Sequence, residues 1–125
     1  MSDRNSGQPD ARLLYFDEQP VSCMRAIDAA DDIRLPIQTV SHPKALHDAC
    51  RTFGPTAVLA VLRPGDLLAL RVIAVMSVVG PRIPLLVAGD VDISRDRALR
   101  TKVKTLGLDV RGSVRLGGSL RDLQL

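Results

Sequence analysis

The stretch TAVLAVLRPGD, residues 56–66, decides how the whole chain is read. Ala57 to Leu62 are six apolar residues in a row, after which Arg63, Pro64 and Gly65 turn the chain. A short unbroken apolar run bounded by turn signals is a buried strand. In open sheets flanked by helices, ligands and chemistry gather at the carboxyl ends of such strands. Here that end carries Ala60, Val61 and Leu62, which hold no reactive atom.

Working outward, strands and helices alternate with short turns. ARLLYF (11–16) is a first strand, and Pro20 opens a helix to about Ala30 whose apolar side is Val21, Met24, Ala26 and Ile27. LPIQTV (35–40) is a second strand. Ser41, His42 and Pro43 start a second helix, in which Ala45, Leu46, Ala49, Cys50 and Phe53 recur at helical spacing until Gly54 ends it. After the third strand, Asp66 caps a third helix, LLALRVIAVMSVV (67–79). IPLLVA (83–88) is a fourth strand, short and unalternating as in a parallel sheet. A fourth helix over about 94–106 turns Leu99, Val103 and Leu106 inward and closes at Gly107. LDVRGSV (108–114) is a fifth strand and GSLRDLQL (118–125) a short last helix. Five such units predict an α/β domain of three layers over residues 11–125, with a flavodoxin-like five-stranded parallel sheet in the order 2-1-3-4-5. Residues 1–10 are expected to be a flexible polar tail.

Composition narrows the function. The core must be aliphatic, since there is no Trp, one Tyr and two Phe, and an aromatic platform for single-stranded nucleic acid is hard to build from these. The net charge of +3 is unevenly placed: residues 1–90 carry nine basic and ten acidic side chains, and residues 91–125 carry eight and four. Fourteen Arg against three Lys suggests a G+C-rich bacterial gene. Cys23 and Cys50 lack the paired spacing of a zinc or redox site and are expected as reduced, buried thiols of a cytoplasmic protein. No apolar run is long enough to span a bilayer, so no membrane partner is expected. No Gly-rich phosphate loop comes after the first strand, which removes the dinucleotide and P-loop readings. The strand runs instead into FDEQP, residues 16–20.

Those residues resemble the bacterial response-regulator receiver domain, the CheY-like module of two-component signalling. RLLYFDEQP is similar to its first strand, which ends in an acidic pair, and Asp17 and Glu18 fall on that pair. GPTAVLAVLRPG resembles the third strand with its Pro-Gly turn, RIPLLVAG the fourth strand, and LGLDV the approach to the fifth. The resemblance covers about residues 11–123.

It also implies what is missing. The family's third strand ends in an aspartate that accepts a phosphoryl group, and the two flanking prolines place that position at Ala60 or Val61. Neither offers the carboxylate oxygen that an acyl phosphate requires. The fourth strand should supply a hydroxyl and has Ala88 or Gly89; the fifth should supply Lys-Pro and has Val114-Arg115. Arg115 or Arg111 is left as a substitute cation near the pocket. Without the third carboxylate, Asp17 and Glu18 are expected as solvated remnants and no cofactor is expected, Mg²⁺ at the pair being the alternative. His42 and His47, five residues apart, are expected as surface side chains.

Two helix surfaces complete the expectations. The third helix is apolar nearly all round, so Leu67, Leu70, Ala74, Val75, Val78 and Val79 are candidates for a subunit or partner interface. Arg95, Arg97, Arg100, Lys102 and Lys104 give the fourth helix a basic outer surface. The functional expectation is a non-phosphorylatable, receiver-like regulatory module, not an enzyme, that acts by homodimerisation or by holding an output domain, without binding nucleic acid by itself. The short last helix suggests a piece of a longer regulator. The alternative is a sensor domain that binds a small molecule at the strand ends, gated by Asp17, Glu18 and an arginine.

Overall fold

The computed structural model describes residues 11–62, 68–89 and 97–114 of the 125-residue chain, with the side chains of 111–114 excepted. The expected polar tail, the Asp66 cap, Leu67, Arg95, Arg115, the Arg111 side chain and the last helix lie outside the described residues.

Chain order is β1 (Leu13–Phe16), α1 (Pro20–Asp32), β2 (Ile37–Val40), α2 (Pro43–Phe53), β3 (Ala57–Leu62), α3 (Leu68–Val79), β4 (Leu85–Gly89), α4 (Arg97–Leu106) and β5 (Val110–Val114). The sheet runs β2-β1-β3-β4-β5, and every neighbouring pair is parallel, as the strand-helix alternation predicts. The opening stretch is therefore the middle strand. β2 and β4 begin at 37 and 85 rather than at 35 and 83, each directly after a proline that has no N–H to give to a ladder.

Side chains alternate across the sheet and build two cores. Leu14, Phe16, Val58, Ala60, Leu62, Leu85 and Val87 face α2, α3 and α4, which contribute Leu46, Cys50, Val72, Ile73, Met76 and Leu99. Leu13, Tyr15, Ala57, Leu59, Val61 and Ala88 face the other way, onto Cys23, Ala26 and Ala30 of α1. Each fully buried Leu, Ile or Met here contributes roughly 1.5–3 kcal/mol relative to exposure.

The helix ends follow local chemistry. α2 starts at Pro43, with His42 Nδ1 accepting the Lys44 N–H at 3.4 Å, and stops at Gly54 in the left-handed region at φ 64°. His42 is thus a surface cap, and His47 is also partly open to solvent. α4 closes with Gly107 at φ 68°, where the Gly107 N–H reaches Lys104 O and the Leu108 N–H reaches Val103 O. α1 makes the same pair of bonds, Arg34 N–H to Asp31 O and Leu35 N–H to Ala30 O, but with Arg34 in the left-handed position at φ 55°.

One expectation for α1 is corrected. Of its expected apolar side, Ala26 is buried, while Val21, Met24 and Ile27 face solvent at 61%, 65% and 44% exposure. Cys23, Ala26 and Ala30 form an alternative stripe at helical spacing. Their small side chains let the helix backbone lie close to the sheet, and the larger residues are left outside.

Candidate functional site

The carboxyl ends of β1, β3 and β4 lie side by side at the centre of the sheet. Ala60 is fully buried, opposite Phe16 of β1 and Val87 of β4. Val61 is also buried, points to the α1 side and pairs in register with Ala88. Leu62 pairs with Gly89, and Ala88 with Val114. The two positions where the resemblance implies a phosphoryl acceptor thus present methyl groups packed among aliphatic neighbours. Those implied to carry a hydroxyl present Ala88 and Gly89.

The acidic pair is split. Glu18 is exposed, whereas Asp17 is 1% exposed, which corrects the expectation of two solvated carboxylates. The alternation of β1 explains the difference: residues 13, 15 and 17 point to the α1 side, where the start of that helix covers them. The burial is compensated by hydrogen bonds. Asp17 Oδ1 accepts the Gln19 backbone N–H at 2.9 Å, and Oδ2 accepts the Tyr15 hydroxyl at a longer 3.4 Å. The Asp17 N–H donates to Val40 O at 3.1 Å, and Asp17 O accepts the Cys23 thiol at 3.4 Å.

Charge and burial act together on the neighbours. Burial pushes the Tyr15 hydroxyl well above its usual range, and the nearby Asp17 charge adds to the effect. The Cys23 thiol is raised for the same two reasons in the same order. Burial alone pushes the Cys50 thiol up to about 11, on the opposite side of the sheet next to Met76. Both cysteines are free and buried, as expected. Tyr15 belongs to this cluster although no motif in the sequence points to it. The available signal is its place two residues before Asp17 on one strand, which puts both side chains on one face.

These residues do not fit Mg²⁺. That ion takes oxygen ligands in a near-octahedral set, commonly from one or two carboxylates with water. Asp17 is buried with both carboxylate oxygens engaged, Glu18 is exposed, and the described ends of β3 and β4 bring methyl groups and glycine. Among the described residues, no group of three His, Cys, Asp or Glu is placed to hold a metal ion.

The two expected helix surfaces are found in part. α3 buries Leu68, Ala69, Val72, Ile73 and Met76, and exposes Leu70, Arg71, Ala74 and Val78. Val75 and Val79, expected outside, are half-buried against the α2–α3–α4 core, because they flank the inward stripe rather than oppose it. On α4, Arg97, Arg100, Lys102 and Lys104 are exposed around the buried Leu99. No described helix is long and apolar enough to cross a membrane.

No protein-family model matches the sequence, and no curated protein matches it. Solved structures match over most of the chain. The signal receiver domain of a response regulator from Bermanella marisrubri is similar at 18% identity and a TM-score of 0.62, over 86% of this chain and 87% of that one. The chemotaxis response regulator CheY4 of Vibrio cholerae is similar at 12% identity and 0.64, over 89% and 90%. A CheY-like receiver domain protein from Methanospirillum hungatei is similar at 9% identity and 0.64, over 91% and 87%. The class of the fold is therefore the flavodoxin-like α/β sandwich. Within it, this chain has the fold of the CheY-like response-regulator receiver domains.

Proposed function

We propose that this chain is a receiver-like regulatory module that takes no phosphoryl group and acts through protein contacts, pairing with a second copy or holding an output domain. The observation that carries the reading is the end of β3: both implied acceptor positions, Ala60 and Val61, are buried aliphatic side chains in the middle of the sheet. Phosphoryl transfer needs an oxygen nucleophile in line with the leaving group, and a metal to neutralise charge. Neither Ala60 nor Val61 has the first, and the split acidic pair supports a domain that works without the second. The exposed Leu70, Ala74 and Val78 of α3 favour a contact function, because such a row on a helix is kept from water when a partner covers it.

Incubating the protein with acetyl phosphate and Mg²⁺ tests the reading. The intact mass is expected to stay unchanged. A gain of one phosphoryl group, labile to hydroxylamine and mapped to Asp17, Glu18 or Asp66, would overturn it. The basic surface of α4 is read as a protein-contact or solvated face; duplex DNA is expected to bind weakly at physiological salt, with what binding there is falling as salt rises.

A further inference from the structure

Among the described residues, the large hydrophobic side chains that stand exposed are Val21, Met24, Ile27, Leu70 and Val78. They fall into two rows. Val21, Met24 and Ile27 lie on the outer side of α1, and Leu70 and Val78 lie with Ala74 on the outer side of α3. The two helices cover opposite faces of the sheet, so one copy of the chain cannot bring these rows together.

Their charged surroundings have opposite signs. The α1 row runs into exposed Asp28, Asp31 and Asp32, with Arg25 and Arg34 as the nearby cations and no basic residue in the helix's last turn. Acidic side chains there stand against the negative end of the helix dipole, and Arg25 and Arg34 offset three carboxylates with two cations, which leaves the flank acidic. The α3 row includes Arg71, and α4, packed beside α3, exposes Arg97, Arg100, Lys102 and Lys104. Apolar row therefore matches apolar row, and acidic flank matches basic flank.

We propose that the outer face of α1 docks onto the α3–α4 face of a second copy of this chain. The contact is heterologous, head to tail, so each copy in an assembly keeps one free face of each kind until a ring closes. The proposal rests on the reading of α3 as a contact face and adds the surface that α3 meets.

Light scattering after size-exclusion chromatography, on the full chain over a wide concentration series, tests it. The wild type is expected to exceed the monomer mass and to keep growing past the dimer as concentration rises, with association weakened by added salt. Met24→Asp and Val78→Glu alter exposed positions on the two faces, and circular dichroism checks that both fold. Each alone is expected to associate about tenfold or more weakly. Mixed in equal amounts, they are expected to form a one-to-one complex, since each keeps the face the other has lost. As a second arm, the charge reversal Asp28→Lys with Asp31→Lys is expected to weaken self-association, and a partner carrying Lys102→Glu with Lys104→Glu to restore it. If Val78→Glu disrupts association while Met24→Asp leaves it intact, α3 pairs with itself; this proposal fails and the α3 contact reading survives. If Met24→Asp alone disrupts it, α1 pairs with itself and the proposal fails. If the wild type stays monomeric throughout, or if two variants that separately abolish association stay apart when mixed, the head-to-tail contact is wrong.

Discussion

The Asp17 carboxylate accepts the Gln19 backbone N–H at 2.9 Å and thereby closes the turn that launches α1 from the end of β1. A residue that the receiver-domain resemblance implies as half of a metal site is here part of the backbone's hydrogen bonding. Side chain to backbone bonds of this i to i+2 kind give the backbone a partner outside the helix and sheet ladders, which favours a turn.

Replacing Asp17 with Ala is therefore expected to lower stability by about 1–2 kcal/mol, the order of one hydrogen bond to a buried side chain. Asp17→Asn keeps an acceptor oxygen and should lose less. Urea denaturation of the two variants checks this. An unchanged midpoint for Asp17→Ala would show that the bond contributes nothing.

The cap of α1 offers the opposite experiment. Arg34 occupies the left-handed position that Gly54 and Gly107 fill at the ends of α2 and α4. A side chain in that region costs roughly 1–2 kcal/mol relative to glycine, partly offset by the freedom glycine has when unfolded. Arg34→Gly is expected to raise the unfolding free energy by about 0.5–1 kcal/mol, readable as a higher midpoint in thermal or chemical melts.

Cys50 makes stability fall at alkaline pH. Its thiol is raised from the ordinary 9.0 to about 11 by burial, so between these values the unfolded chain gives up the proton while the folded chain keeps it. Fewer protons bound in the unfolded state means that unfolding becomes easier as pH rises. The contribution is fully present below pH 9 and gone above about 11. Denaturation midpoints measured across this window are expected to decline, and Cys50→Ala to decline less steeply.

Position along α3 separates surface from core. Val78, 75% exposed, is expected to tolerate Glu within about 0.5 kcal/mol of wild-type stability. Val72→Glu, at a fully buried place on the same helix, is expected to prevent folding. Val75→Glu should fall between, because Val75 packs partly against the core. Circular dichroism and urea melts rank the three.

Much of the fold was legible because its punctuation is local. Prolines 20 and 43, glycines 54 and 107, and the unalternating apolar strands state where elements begin and end, and parallel order follows from the crossovers. The orientation of α1 was not legible. Val21, Met24 and Ile27 make one stripe and Cys23, Ala26 and Ala30 another, and hydrophobicity alone favours the larger residues. What decides the matter is the gap between helix and sheet, a tertiary quantity. The same holds at the strand ends. Composition shows that Ala60 lacks an acceptor oxygen, but the burial of Asp17 depends on the helix that folds over it.

If the domain acts as proposed, Ala60 also sets how long a signal carried by it lasts. A covalent mark persists after the molecule that delivered it has gone, and its lifetime is that of a chemical bond. A methyl group takes no mark, so this strand end retains no record of an earlier encounter. A state held only by non-covalent contact ends when the partner departs, and its duration is the residence time of the complex. Under the proposed function, the middle strand makes the domain a reporter of present concentration rather than of past events.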